Sequence, residues 1–407
     1  MKTRLLIAVG ILASAAPWAS AQSIDDLNLQ IHGYATQGFL YTTKNNIFTT
    51  GSSDGSAAWT DAVVNISAQP KSTLRVAVQA RYYLLGNYGN KIVLDWAAID
   101  YKLNDRFGIR AGKVKTPWGL FNETQDIDPS YIWALLPQSI YPTDLRDATI
   151  AHLGGDIYGN VSLKHGLGDL SYTAYAGHRS DSIYSGYPYY FSSFGAHITS
   201  FGGLQYGADL RWNTPLKALL IGASRMNEDI TGKGSAINPF NPGAALVPYS
   251  EASKADWVNQ FYGEYTVGRL RIDSEYRRYW RNQELFSGTS QSFGDVRGWY
   301  VSGAYRICKR LQIGSYYSRY TVTNVVAGAL SAFYPPATDT SLPADHDYDK
   351  VITGRVDLNR FWNLKIEGHF MNGYGSGPYP NGFYTQVNTQ GFKPNTIALV
   401  LKTSLNF

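Results

Sequence analysis

The sequence predicts an all-β fold, a transmembrane antiparallel β-barrel of about sixteen strands with short periplasmic turns and long extracellular loops. Three observations carry that expectation. The chain ends in an alternating segment: Ile397, Leu399, Leu401, Thr403, Leu405 and Phe407 form one face, and Ala398, Val400, Lys402, Ser404 and Asn406 the other. Successive strand residues point to opposite faces, so this is a strand with one apolar and one largely polar side. The same pattern recurs along the chain at the length a tilted membrane strand needs. The connections between these segments alternate between tight and long.

The first residues read as a targeting segment. Lys2 and Arg4 precede an apolar run from Leu5 to Ala16, and Ala19-Ser20-Ala21 forms an A-x-A cleavage site. Residues 1–21 are therefore expected to be a cleaved signal peptide and residues 22–407 the barrel domain. No later stretch is apolar enough to span a membrane as a helix. Mean hydropathy is −0.24, as a barrel with half its strand residues facing water would show. Aromatics make up 14% of the chain, with 31 tyrosines, which suits interface girdles. The formal charge of +5, less Lys2 and Arg4 of the leader, is too mild to imply nucleic acid. The single cysteine, Cys308, excludes an intramolecular disulfide.

In order, the first eight expected strands are Leu29–Thr43, Trp59–Gln69, Thr73–Leu84, Ile92–Leu103, Phe107–Val114, Thr149–Lys164, Leu170–His178 and Leu204–Asn213. The second eight are Leu216–Met226, Asp256–Val267, Leu270–Asn282, Gly298–Ile307, Leu311–Thr321, Lys350–Leu358, Trp362–Met371 and Thr396–Phe407. After the even-numbered strands the links are tight, such as Pro70-Lys71-Ser72, Thr214-Pro215, Gly268-Arg269 and Lys309-Arg310. After the odd-numbered strands most are long, such as Lys44–Ala58, Lys115–Ala148, Arg179–Gly203 and Val322–Asp349. A β-sandwich has no reason to alternate in this way.

Parity assigns the faces. In the third strand Leu74, Val76, Val78, Ala80, Tyr82 and Leu84 face lipid, with Arg75, Gln79 and Arg81 toward the lumen. In the eleventh Leu270, Ile272, Tyr276 and Trp280 face lipid; Arg271, Asp273, Glu275, Arg277 and Arg281 face inward. The fourth strand changes phase near Ala97-Ala98, with Leu94 and Trp96 outward and then Ile99 and Tyr101, which predicts a β-bulge. A one-residue slip would place arginines in hydrocarbon at about 2–4 kcal/mol each near the midplane. The expected lumen charges also include Asp95, Asp100, Arg110, Arg211, Arg306, Arg355 and Lys402. They carry two readings: wall salt bridges, such as Arg75 or Arg110 with Asp95 or Asp100, or a basic ladder that steers anionic solutes.

The longest link runs from Lys113-Val114-Lys115-Thr116-Pro117-Trp118-Gly119-Leu120 through Phe121, Glu123, Asp126 and Asp128 to Arg146-Asp147. Gly112, Lys113, Lys115, Pro117, Gly119 and Leu120, followed by the Arg146-Asp147 pair, resemble the pattern of the phosphate-selective porin family and related specific porins. The closing strand, ending on the aromatic Phe407, is similar to that of bacterial outer-membrane barrels, where it serves as an assembly signal. The resemblance implies a Gram-negative outer-membrane location and passive diffusion of small hydrophilic solutes. It also implies a third loop folded into the lumen, a homotrimer, and contact with lipid, lipopolysaccharide and the barrel assembly machinery. The constriction would then comprise Lys113, Lys115, Trp118, Phe121, Glu123, Asp126, Asp128, Arg146 and Asp147. Phosphate selectivity needs a passage lined by lysine and arginine, whereas this loop is rich in carboxylates. The expected preference for anions is therefore weak.

Other classes find thinner support. Tyr184, Tyr187, Tyr189, Tyr190 and Phe191, with Trp118, Phe121, Tyr131 and Trp133, suit either sugar stacking or loop packing. The long loops would also suit a barrel adhesin. Gly51-Ser52-Ser53-Asp54-Gly55 matches G-x-S-x-G without the strand–helix context of a nucleophile elbow, so no enzyme is expected. Asp345, Asp347 and Asp349 open like a calcium loop, but Lys350 and Val356 occupy the required glycine and glutamate positions. No metal or cofactor is expected.

Overall fold

A computed structural model describes residues 27–85, 88–183, 186–192, 195–238, 240–334, 336–375, 384 and 387–407; the expected signal peptide lies outside them. The strands are β1 (Gln30–Thr42), β2 (Ser56–Lys71), β3 (Leu74–Leu85), β4 (Tyr88–Asn104), β5 (Phe107–Lys115), β6 (Ala151–Ser162), β7 (Asp169–Ser180), β8 (Ala196–Asn213) and β9 (Leu219–Ala236). Then follow β10 (Val247–Ser253), β11 (Asp256–Val267), β12 (Leu270–Leu285), β13 (Ser290–Arg306), β14 (Leu311–Gly328), β15 (His346–Asp357), β16 (Trp362–Gly373) and β17 (Asn395–Asn406).

Seventeen segments make sixteen staves. β10 and β11 lie in line, because β9 pairs with β10 through Thr231–Ala236 and with β11 through Leu219–Glu228. Ala255, at φ 63°, sits at the break between them. Each stave pairs antiparallel with its chain neighbours, and β1 closes the barrel against β17, with Tyr34 opposite Asn406 and Thr42 opposite Ala398. At that seam the Gly33 N–H donates to the Phe407 carbonyl at 3.1 Å and the Phe407 N–H returns to Gly33 at 3.0 Å. A Cβ on Gly33 would lie 2.5 Å from the Phe407 ring, so the terminal aromatic needs a glycine opposite it. Closure leaves no unpaired strand edge, which is what a spanning sheet requires.

Every expected strand is present. Several run further toward the long-loop end, β8, β9, β13 and β14 most of all. Beyond the apolar band both faces of a hairpin are wet, so alternation no longer marks the strand there. Parity holds on β3 and β12: Val76, Val78, Ile272 and Tyr276 are exposed outside, while Gln79, Arg81, Asp273 and Glu275 are buried inside. The bulge of β4 is displaced from its expected place. Gln79 faces Trp96 while Ala80 faces Leu94, so Asp95 is the extra residue. Trp96 consequently points inward, not to lipid, and its indole N–H reaches Asp126 at 3.2 Å. A bulge re-aims side chains; this one turns both Asp95 and Trp96 toward the lumen.

Candidate pore constriction

The link between β5 and β6, residues 116–150, lies inside the barrel and is tied to its wall in three places. The first tie is a buried carboxylate. Glu275 of β12 accepts the Leu120 N–H at 3.0 Å, the Tyr141 hydroxyl at 2.8 Å, the Tyr300 hydroxyl at 2.8 Å and the Gln260 amide at 2.5 Å. Gly119, at φ +62°, passes so close to Gln260 and Tyr141 that a Cβ there would collide with both. Its N–H donates to Ser224 of β9 at 3.1 Å.

The second tie lies across the lumen. Asp128 pairs with Lys365 at 3.2 Å, bonds Lys402, and accepts the Ser404 hydroxyl at 2.5 Å. Lys365 also donates to the Asp128 and Trp133 carbonyls, and Arg355 to those of Pro129 and Tyr131. Glu367 of β16 accepts the N–H groups of Ala134 and Leu135, both at 3.0 Å. His369 is held between Glu367 at 3.0 Å and Asp349 at 2.7 Å. Burial alone would raise the Asp128 carboxyl; the two ammonium groups override that and hold it well below the usual carboxylate range.

The third tie is at β3, β4 and β5. Arg146 forks onto Asp95 through two bonds of 2.8 Å, the bidentate geometry in which guanidinium binds carboxylate best. Lys115 bonds Asp126 at 2.8 Å, and Gln79 donates to the same carboxylate at 2.7 Å. Asp147 accepts the Tyr83 hydroxyl at 2.7 Å and lies 3.7 Å from Arg81. Glu123 meets Arg110 at 3.6 Å and Arg211 at 3.0 Å. Trp118 stacks on Tyr141 at 5.4 Å, and Phe121 sits edge-on to Tyr141 at 5.8 Å.

Of the residues expected at the constriction, these contacts bring together Lys115, Trp118, Phe121, Glu123, Asp126, Asp128, Arg146 and Asp147. Lys113 is the exception. It lies opposite Leu153, which is 62% exposed on the outer face, and its ammonium donates to the Leu94 carbonyl at 2.6 Å. Directly opposed residues of an antiparallel pair share a face, so Lys113 points away from the lumen.

The lumen arginines are mostly compensated, with partners that differ from those expected. Arg81 forks onto Asp61, Arg110 pairs with Asp156 at 2.9 Å, and Arg271 with Asp273 at 2.9 Å. Arg211 pairs with Asp209 at 2.9 Å and Arg355 with Asp357 at 2.8 Å, while Arg306 lies 3.9 Å from Asp357. Asp95 goes to Arg146 and Asp100 accepts the Tyr158 hydroxyl; neither pairs with Arg75 or Arg110, because the bulge swings Asp95 toward the loop. Among the described residues Arg75 and Arg277 make no ion pair. Arg277 donates to the Ile140 carbonyl at 2.8 Å and lies over the Trp118 ring; Arg281 follows it on the same face.

The loop divides the lumen. Toward the short turns a cavity of about 600 Å³ is lined by Arg75, Gln79, Arg110, Glu123 and Asp126. Toward the long loops lie smaller spaces, one of about 60 Å³ beside Arg81, Arg146, Asp147 and Lys402 and one of about 50 Å³ beside Trp118, Tyr187, Arg277 and Tyr279. The described aromatics suggested for sugar stacking pack against other rings of the protein. Trp133 meets Tyr316, and Tyr187 and Phe191, on the helix Gly186–Ser192, meet Phe201. Tyr189 packs beside Tyr384 and its neighbours; Tyr184 and the side chain of Tyr190 lie outside the described residues. Ser53 sits in the turn Ser52–Asp54, its N–H bonded to Asn46. Among the described residues no cluster of His, Cys, Asp and Glu could hold a metal ion.

Asp144, in the turn Thr143–Leu145, titrates in the opposite sense to Asp128. Burial pushes its carboxyl up from 3.8 to about 8, against a smaller lowering by the Tyr384 hydroxyl. Below 3.8 both folded and unfolded chains hold the proton; between 3.8 and about 8 the folded chain holds more. Stability falls as pH rises through that window. Asp144→Asn should flatten that slope in pH-dependent thermal melts; an unchanged slope would assign it elsewhere.

This geometry defines the chain as a closed sixteen-stranded antiparallel barrel with an internal loop. A scan against protein-family models and a search of curated proteins both give no match. Solved structures do match. The fold is similar to an anion-selective porin from Comamonas acidovorans, at 9% identity over 93% of this chain and 99% of that one, TM-score 0.56. The outer membrane channel DcaP of Acinetobacter baumannii matches at 12% identity over 96% and 100%, TM-score 0.55. The trimer form of OmpT, an outer membrane protein of Vibrio cholerae, matches at 10% over 93% and 99%, TM-score 0.51.

Proposed function

We propose that the protein is an outer-membrane porin: a passive, non-enzymatic channel for small hydrophilic solutes, with a weak preference for anions, assembled as a homotrimer. The observation that carries this reading is the closed sixteen-stranded wall, wide enough for an aqueous lumen, narrowed by a loop stapled across it. The fold shared with an anion-selective porin and with a trimeric outer-membrane protein supports it. The preference is weak because most lumen charges are paired, and among the described residues Arg75 and Arg277, which make no ion pair, are opposed by Asp100 and Glu275, which meet only neutral donors. The ring-on-ring packing of Trp118, Phe121 and Trp133 leaves them structural, so sugar stacking gains nothing from the geometry.

Purified protein in planar bilayers should give stepwise conductance; well-folded protein that stays silent would refute the channel. In a salt gradient the reversal potential should show modest anion preference, and Arg75→Gln with Arg277→Gln should abolish it. Persistent preference in that variant would remove these two arginines from the selectivity mechanism.

A further inference from the structure

The outer wall carries a row of cations that the lumen does not use. Arg225 of β9 lies opposite Asn259, Asn259 opposite Arg278, and Arg278 directly opposite Arg297 of β13. Arg319 of β14 continues the row diagonally, since Arg297 faces Thr321, and Lys350 of β15 extends it. All have outward parity, alternating with the buried Met226, Val296, Ser318, Asp349 and Val351. They stand six to nine residues above the short-turn ends of their strands. At about 3.3 Å per residue on tilted strands, that is roughly 20 Å up the wall, near the top of an apolar band about 25 Å tall. Beneath them Ile221, Ile272, Tyr276, Val301, Ile313 and Ile352 are exposed outside.

Like charges directly opposed across a strand pair repel, yet one carboxylate, Asp295, serves both Arg278 at 2.9 Å and Arg297 at 2.7 Å. Arg225 bonds the side-chain oxygens of Asn259 and Asn227, and Arg319 donates to the Tyr348 hydroxyl. Five cations at one height thus share one acid. Rings hold the guanidinium planes in place: Trp257 lies 4.7 Å from Arg225 and 5.5 Å from Arg278, and Tyr348 lies 4.2 Å below Arg319.

We propose that this row is a binding site for the phosphate groups of a phosphorylated glycolipid of the outer leaflet, the lipid A moiety of lipopolysaccharide. The height puts the cations at headgroup level with acyl chains against the apolar wall below. Asp295 engages the Nε–Nη2 edges of Arg278 and Arg297, and Asn227 that of Arg225, which fixes the planes and leaves their other N–H groups, with Arg319 and Lys350, to meet phosphate oxygens. The inference rests on the outer-membrane reading but not on passage of solutes through the lumen.

Folded, detergent-purified protein should be titrated with bis-phosphorylated lipid A and with its dephosphorylated form, bound lipid being read by native mass spectrometry. The phosphorylated lipid should bind at least about tenfold more tightly. Combined Arg278→Gln, Arg297→Gln and Arg319→Gln should weaken it by about tenfold or more, while the corresponding triple change to lysine keeps most of the affinity. Equal binding of the two lipids by the native protein, a comparison that needs no variant, would overturn the site. So would undiminished binding by the glutamine variant, or its loss of oligomeric state without lipid dependence, which would give the face to a neighbouring copy. Lipid A binding by a protein that conducts no ions would count against the channel alone; a conducting protein indifferent to lipid phosphate would count against this site alone.

Discussion

Glu275→Ala should release one end of the internal loop and open the channel. Its carboxylate satisfies the Leu120 N–H, the hydroxyls of Tyr141 and Tyr300, and the Gln260 amide, all buried. A buried donor stripped of its acceptor costs about 1–3 kcal/mol, more where the acceptor is charged. Four orphaned donors therefore exceed what the loop's remaining packing at this tie offsets. The barrel itself should survive, because its strands are joined by complete backbone ladders that do not pass through Glu275. The loop would move, not the wall. Single-channel conductance should rise and become noisier, and protease added from the loop side should cleave between Pro117 and Pro142. Glu275→Gln, which keeps the shape and one acceptor oxygen, should fall between. Native-like conductance and protease resistance in Glu275→Ala would mean that packing of Trp118, Phe121 and Tyr141 holds the loop without the carboxylate.

The wall was legible because it obeys a period of two and because an arginine in hydrocarbon is expensive. Leu74 to Leu84 and Leu270 to Trp280 declare their faces, and charges on the alternate positions pin the register. Legibility failed where that constraint lapses. β13 and β14 continue to Ser290 and Gly328, where both faces are wet and alternation carries no message. Asp95 shows a second failure. The phase change was readable from Leu94 and Ile99, but the bulged residue was not, since Asp95 and Trp96 turn inward to meet Arg146 and Asp126 of a distant loop. Lys113 shows a third: with Lys115 it reads as part of one basic motif, and two residues apart they should share a face, yet Lys113 stays opposite Leu153 on the outer wall while Lys115, the last residue of β5, turns inward to meet Asp126. Within the lumen, parity found Glu275 and Lys402, but nothing local to the sequence says that such carboxylates and ammonium groups grip the loop. His369 was missed: it alternates with Lys365 and Glu367, which puts it on the lumen face, but a histidine without a metal-ligand spacing gives no other signal.

Asp128→Asn should detach the other end of the loop and destabilise the protein more than most single changes. Lys365 and Lys402 share this one carboxylate, and their side chains are 0% and 8% exposed. Removing one member of a buried ion pair costs about 3–5 kcal/mol, because the partner stays behind as an uncompensated charge. Here two partners stay behind, facing each other across the vacated site. Their repulsion is then relieved only by displacing the loop near Pro129 or by drawing in water. The double change Asp128→Asn with Lys402→Met should therefore recover part of the loss, an interaction that a double-mutant cycle would read as non-additive. Acid should mimic the single change. The folded carboxyl is held below its unfolded value of about 3.9, so its stabilisation is complete above that value and is lost as pH falls through the lower, folded one. Thermal midpoints of the native protein should consequently drop in strong acid more steeply than those of Asp128→Asn. Equal acid sensitivity of the two would place the acid-labile anchor elsewhere, with Glu367 and its grip on Ala134 and Leu135 the next carboxylate to replace.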